Sequence, residues 1–172
     1  FNNVIPVSYS SDAYLGNKSL KLETQLTPGS DTLFGYFLSG DPDAGLPGQA
    51  INLIDGDSII GYYKSNILPN DSVVLLCQTF LLHDVTGGVL TYFKGTQNTW
   101  KRFAYPLYSF GLDSIMIAMA TGDPLNNFRG IPGSWIQVDN IQLKSTSGTI
   151  APIENYSFEN WSPILFEEPS GW

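Results

Sequence analysis

Apolar and polar residues alternate along much of the chain, and this alternation limits the fold more than any other feature. In Lys18–Leu26 the apolar residues Leu20, Leu22 and Leu26 share even positions, and the polar residues Lys21, Glu23 and Gln25 share odd ones. Successive side chains of a β-strand point to opposite faces, so this pattern predicts a strand with one covered and one wet face. Ser114–Ala120 and Ile136–Leu143 alternate in the same way.

Further strand candidates are separated by turn signals such as Gly87-Gly88 and Ile131-Pro-Gly133. They are Val4–Ser10, Thr32–Leu38, Ser58–Lys64, Val73–Leu82, Val89–Lys94 and Trp100–Leu107. Short strands with turns about every 8 to 12 residues predict an all-β sandwich or barrel. The alternation slips by one position at Asp139-Asn140, where an extra residue would form a β-bulge.

Composition excludes several classes of protein. Of the 172 residues, 42% are hydrophobic and 13% aromatic, which argues against disorder. The net charge is −8 and the eight Lys and Arg are scattered, so we expect no nucleic-acid partner. The single cysteine, Cys77, cannot form an intramolecular disulfide and is expected to be buried. No apolar run is long enough to predict a transmembrane span, and no signal peptide is recognised, which does not by itself place the chain in the cytoplasm.

The C-terminal stretch differs in composition from the rest of the chain. Four of the five glutamates lie from Glu154 onward, together with two of the four tryptophans. Thr146-Ser-Gly-Thr149 has the composition of a linker. We therefore divide the chain into a β-sandwich module, 1–145, a linker, 146–153, and a terminal segment, 154–172.

Several motifs together resemble those of bacterial secreted jelly-roll modules. They are Asn155-Tyr-Ser-Phe-Glu-Asn-Trp161, Glu168-Pro-Ser-Gly-Trp172, Ser11-Asp-Ala-Tyr-Leu-Gly-Asn-Lys-Ser-Leu-Lys-Leu22 and Gly133-Ser-Trp-Ile-Gln-Val-Asp-Asn-Ile-Gln-Leu143. The set is similar to the carbohydrate metabolism domain family and, more broadly, to galactose-binding-like carbohydrate-binding modules. The resemblance implies a two-sheet antiparallel β-sandwich of jelly-roll topology. It also implies an extracellular or cell-surface location.

The order of these motifs departs from the family pattern. The F-E-x-W and P-x-G-W elements open such modules, whereas here they come last. One explanation is that 154–172 folds back to fill the first-strand position of the same sandwich, which would cover an otherwise open sheet edge. The other is that this segment starts the next repeat of a tandem array. We favour the first.

The resemblance also implies a structural calcium ion. Its ligands would be Asp139, Glu159 and the backbone near Asn17 and Lys18, because calcium prefers carboxylate and carbonyl oxygens. The alternative interpretation is that Asp139 is solvated and that Glu159 caps a turn.

Carbohydrate recognition commonly uses aromatic rings that stack on the apolar face of a sugar. The candidates are Trp100, Trp135, Tyr62, Tyr63 and Tyr92. Each could instead pack in the core or at its rim. Alternation places one ring of the pair Tyr62-Tyr63 inside and one outside, so we expect only one of them to be available to a ligand.

The predicted function is therefore that of a noncatalytic module that binds polysaccharide or glycan within a larger protein, beside neighbouring domains. The alternatives are a structural or protein-interaction spacer and, less favoured, a glycan-acting hydrolase. The chain lacks the E-x-D-x-x-E cluster of jelly-roll glucanases, and its only histidine, His83, follows no G-x-S-x-G elbow.

Overall fold

A computed structural model describes residues 5–39, 48–51, 55–123 and 130–161. These ranges form thirteen β-strands, and no helix occurs within them. The strands are β1 (Val7–Ser10), β2 (Ser19–Glu23), β3 (Gln25–Leu26), β4 (Thr32–Leu33), β5 (Tyr36–Leu38), β6 (Gln49–Ala50), β7 (Asp55–Asn66), β8 (Val73–Leu81), β9 (Asp84–Phe93), β10 (Thr96–Phe110), β11 (Ser114–Ala120), β12 (Trp135–Lys144) and β13 (Ile150–Pro152). Within these residues no helix is long and apolar enough to span a membrane.

The strands form two main antiparallel sheets. The first has the order β1-β2-β12-β7-β10, with β13 also paired to β12, and the second has the order β5-β11-β8-β9, with β6 paired to β11. The steps β7–β8, β9–β10, β10–β11 and β11–β12 each cross between the sheets, as in a jelly roll. The predicted all-β sandwich is confirmed.

The core lies between the two sheets and follows the alternation of the sequence. Leu22 and Ile136 of the first sheet, and Leu75 and Ile117 of the second, are almost fully buried. Burying each such side chain contributes about 1.5 to 3 kcal/mol. Cys77 is also buried, as predicted, and burial raises the pKa of its thiol.

The predicted β-bulge in β12 is confirmed. Between Asp139 and Gln142 the register against β7 shifts, and Asn140 has a φ of +54°. Val138 and Ile141 are three positions apart, so regular alternation would place them on opposite faces, yet both are buried in the core. The extra residue thus restores the inward register and leaves Asp139 on the outer side of the sheet.

After β12 the chain reverses direction, and β13 pairs antiparallel with β12. β13 lies within the stretch predicted as a linker and pairs with β12 from Gln142 to Lys144. Phe158 packs in the core against Phe37, with ring centroids 5.6 Å apart. Residues 154–161 therefore lie against this sandwich, whereas the motif Glu168-Pro-Ser-Gly-Trp172 falls outside the described residues.

Candidate functional site

Three aromatic side chains gather on the outer face of the first sheet. Tyr62 of β7 points away from the core, and Tyr14, from the loop between β1 and β2, stacks on it with ring centroids 3.5 Å apart and an 11° interplanar angle. Trp100 of β10 meets Tyr14 edge-on, at 6.4 Å and 66°. We call Tyr14, Tyr62 and Trp100 the aromatic platform.

Charged groups border the aromatic platform and fix the Trp100 indole. Trp100 Nε1 donates to Asp12 Oδ1 at 3.2 Å, and Lys64 Nζ donates to Asp12 Oδ2 at 2.6 Å. The same ammonium lies 5.2 Å from the centroid of the Trp100 ring, in a cation–π contact. The hydrogen bond from Lys64 lowers the pKa of Asp12, and the bond from Trp100 acts in the same direction against a desolvation effect.

The loop that carries Asp12 and Tyr14, residues 11–18, is held against the sheet by Asp139. Asp139 Oδ2 accepts hydrogen bonds from the backbone N–H groups of Tyr14 at 2.7 Å and Leu15 at 2.8 Å. Its Oδ1 accepts from Asn140 N at 2.7 Å. Asp139 is fully covered, and desolvation raises the pKa of its carboxyl, with the negative charge of Glu159 adding to the shift and the three N–H bonds opposing it.

Glu159 holds the second half of the same loop. Its Oε1 accepts from Asn17 N at 2.8 Å and Lys18 N at 2.9 Å. Gly16 turns with a φ of +79°, and a Cβ there would overlap Glu159 Oε1, so this close approach requires glycine. Lys18 Nζ donates to the Glu159 carbonyl at 3.3 Å.

The calcium expected at Asp139, Glu159 and Lys18 stays a prediction, and the hydrogen bonds of these groups do not favour it. The loop presents N–H groups to the carboxylates, whereas calcium needs six to eight oxygen ligands. The Lys18 ammonium at the Glu159 carbonyl would repel a cation. Among the residues that the structure describes, no group of three His, Cys, Asp or Glu could hold a metal ion. Asn140 Oδ1 is buried without a hydrogen-bond partner there, but it supplies one oxygen only.

Trp135 lies on the same outer face, farther along the sheet. It is half-buried at the start of β12, and Lys21 Nζ lies 5.7 Å from its ring centroid. Its register partner on β7 is Asn66, four residues from Tyr62. At about 3.3 Å per residue, this corresponds to about 13 Å between the two aromatic positions.

The remaining two predicted residues lie elsewhere. Tyr63 points inward and packs on Phe93, with ring centroids 4.7 Å apart. The expectation that it could bind a ligand is therefore corrected, because strand alternation places this ring on the core side of the sheet. Tyr92 is on β9 of the second sheet, where it lines a separate cleft of about 670 Å³ with Asp71 and Lys94.

The aromatic platform thus contains two predicted residues, Tyr62 and Trp100, and one that was not predicted. Tyr14 lies in a loop without alternation, and nothing local in the sequence indicates that it folds over a strand some fifty positions away. The one available signal is the Gly16-Asn17 turn, since a glycine of this kind permits close approach of the loop to another part of the chain.

Comparisons with known proteins give distant structural likenesses. No family model matches the chain, and no curated protein matches it. Five solved chains do. A family 16 carbohydrate-binding module has a TM-score of 0.44 and 20% identity over 80% of this chain and 84% of its own. An isomalto-dextranase of Arthrobacter globiformis T6, complexed with panose, has a TM-score of 0.33 and 18% identity over 77% of this chain, which spans only 20% of that enzyme.

Proposed function

We propose that this chain is a noncatalytic carbohydrate-binding module of a secreted or cell-surface protein. The observation that carries the proposal is the aromatic platform with its bordering groups, Asp12 and Lys64. The rings offer an apolar surface to the C–H face of a sugar, while the carboxylate and the ammonium offer an acceptor and a donor to its hydroxyls.

The aromatic platform is ordered before any ligand arrives. Tyr14 is stacked on Tyr62 and Trp100 is hydrogen bonded to Asp12, so these side chains lose little rotational freedom on binding. Tyr14 remains 44% exposed, which leaves ring surface for a sugar. Lys64 covers part of Trp100 and can turn away from it, because its ammonium is attached to a flexible four-carbon chain.

The shape and charge of this face favour a neutral oligosaccharide. Trp135 lies about 13 Å from Tyr62 along the sheet, which is farther than one sugar ring extends, so a ligand that contacts both must be a chain of several sugars. The net charge of −8 repels strongly anionic glycans at long range.

The carboxylates near the aromatic platform support binding rather than hydrolysis. A glycosidase needs two carboxyl groups on either side of the scissile bond. Asp139 has the raised pKa of an acid catalyst, but it is fully covered and bonded to the loop. Asp12 has a lowered pKa, so its carboxylate holds no proton to donate to a leaving group, although its oxygens can still accept hydrogen bonds from sugar hydroxyls.

Affinity electrophoresis and calorimetry with a panel of neutral soluble polysaccharides test the proposal. We expect the wild-type chain to bind at least one of them, and Trp100→Ala to weaken that binding by about tenfold or more, because the indole surface is lost. Tyr36→Ala, on the exposed face of the second sheet, is the matched control and should bind as the wild type does. Equal loss in both variants, or no binding by the wild type, would refute the proposal.

A second candidate function is a protein-interaction module that contacts neighbouring domains. The outer face of the second sheet favours it, because four of its large side chains are exposed: Tyr36, Leu38, Leu90 and Tyr92. Exposed apolar surface of this kind marks interaction sites when it is contiguous. Failure to bind any glycan, together with binding to an adjacent domain that Tyr36→Ala weakens, would favour this candidate.

A further inference from the structure

We infer that Glu159 is a positioning residue for the proposed glycan-binding face, and that the C-terminal segment thereby assembles that face. The inference rests on the proposed function for its binding consequence, whereas its structural part stands on the contacts of loop 11–18. Glu159 itself lies outside the aromatic platform and acts on it through this loop.

The path from Glu159 to the aromatic platform is short and direct. Its Oε1 accepts the N–H groups of Asn17 and Lys18, which directly follow the Gly16 turn. Two residues before Gly16, Tyr14 stacks on Tyr62. Hydrogen bonds to a charged acceptor are stronger than those between neutral groups. The pair of bonds therefore helps to hold the loop against the sheet.

Asp139 and Glu159 divide this task. Asp139 binds the loop at Tyr14 and Leu15, and Glu159 binds it at Asn17 and Lys18. Without Glu159, the backbone that follows the Gly16 turn would lose both of its hydrogen bonds to a carboxylate and could move. Because the Tyr14 ring projects from the backbone next to that turn, we expect its stacking on Tyr62 to loosen.

The terminal segment fixes Glu159 from both sides. Phe158 is buried in the core, and its carbonyl accepts a hydrogen bond from Trp161 Nε1. Asn155 exchanges two hydrogen bonds with the backbone of Asn160, at 2.9 and 3.0 Å. The motif Asn155-Tyr-Ser-Phe-Glu-Asn-Trp161 thus has a physical role, which is to hold one carboxylate under the loop.

Hydrogen exchange tests the structural part without any ligand. In Glu159→Ala we expect the amides of Asn17 and Lys18 to exchange at least about tenfold faster, with the amides of β8 unchanged. Glu159→Gln retains one acceptor oxygen and should lie between this variant and the wild type. Glu154→Gln, an exposed glutamate of the same segment, is the control and should exchange as the wild type does.

Glycan affinity, measured on the same variants, tests the binding consequence. We expect Glu154→Gln to bind as the wild type does, Glu159→Gln to bind more weakly and Glu159→Ala to bind most weakly, in the same order as the exchange rates. Unchanged exchange at Asn17 and Lys18 would overturn the inference. Faster exchange with unchanged affinity, while Trp100→Ala still abolishes binding, would overturn the positioning role and leave the proposed function intact.

Two further outcomes are separated by the same measurements. If the wild type binds no glycan, the proposed function fails, and the exchange rates alone decide whether Glu159 holds the loop. If slow exchange at Asn17 and Lys18 in the wild type requires calcium and is lost with a chelator, the direct hydrogen-bonded attachment is wrong.

Discussion

The outer faces of the two sheets differ in how their aromatic residues are held. On the first sheet, Tyr62 and Trp100 are covered in part by loop 11–18 and are bonded to neighbours in several directions. On the second sheet, Tyr36 is 70% exposed, its register partner is Ala120, and Ala120 pairs in turn with Val74.

The difference teaches that exposure alone does not indicate a ligand site. The more exposed Tyr36 pairs across the strands with Ala120, which cannot orient a sugar, whereas the less exposed rings of the first sheet have Asp12, Lys64 and Lys21 beside them. On the second sheet, charged groups lie in the cleft of Tyr92, at the opposite edge from Tyr36. Sugar binding requires both kinds of group, and protein binding requires mainly apolar area. We therefore propose glycan binding at the first face, and the second face is the candidate for protein contact.

The largest expected effect separates the inside of the first sheet from its outside. Tyr63→Ala removes a ring that packs on Phe93 and Phe103, so we expect a loss of about 2 to 4 kcal/mol in the free energy of unfolding. Urea denaturation measures it. Tyr108→Ala, at a residue that is 75% exposed, is the control and should change stability by no more than about 0.5 kcal/mol. Similar losses at both positions would contradict the inward assignment of Tyr63.

The neighbouring residues Tyr62 and Tyr63, one outside and one inside, also show what the sequence can predict. Period-two alternation is a local property, and it correctly predicts most of the strands, their inward residues and the bulge at Asp139-Asn140. The predicted turn at Gly87-Gly88 is wrong, because both glycines lie inside β9 and pair with β8. It misses β6 and β13, because strands of two or three residues are too short to display a period. It also underestimates β7 and β10, which continue through glycine, proline and polar residues because each is paired to a neighbour along most of its length.

The candidate site is less predictable than the fold for a physical reason. Tyr14 meets Tyr62, and Asp12 meets Lys64, only because two carboxylates far along the chain, Asp139 and Glu159, bind backbone N–H groups of their loop. Such bonds involve no complementary side-chain pattern in the loop itself. The sequence therefore indicates which residues can form a site but not which of them meet.

The next expected effect tests how far the binding face extends. Trp135→Ala should weaken oligosaccharide binding by about tenfold, equal to about 1.4 kcal/mol, while leaving the affinity for a single sugar unchanged. Calorimetry with sugars of increasing length measures both. Tyr92→Ala, on the second sheet, is the matched control and should have no effect. Equal effects at the two positions would show that the glycan does not distinguish the two faces.

The next prediction concerns Asp139, which holds loop 11–18 on the outer side of the first sheet: its carboxyl should make the stability of the protein depend on pH. Because the pKa of Asp139 is raised in the folded protein above its ordinary value of 3.8, the folded state binds this proton more tightly than the unfolded chain does. The stability contributed by Asp139 is therefore fully present below its ordinary pKa of 3.8 and is lost as the pH rises through the raised pKa. Asp139→Asn should lose this dependence. Urea denaturation of both proteins from about pH 4 to pH 7 should give curves that diverge with pH, and parallel curves would contradict the shift.

The smallest expected effect concerns the outer face of the second sheet. Tyr36→Ser with Leu38→Ser should change the free energy of unfolding by no more than about 0.5 kcal/mol, because both side chains are exposed. Glycan affinity should be unchanged, since neither residue contacts the aromatic platform. Binding of a hydrophobic dye, measured by fluorescence, should fall because apolar surface is removed. A marked loss of stability would mean that this face is covered and not available to a partner, and a loss of glycan affinity would reverse the assignment of the two faces.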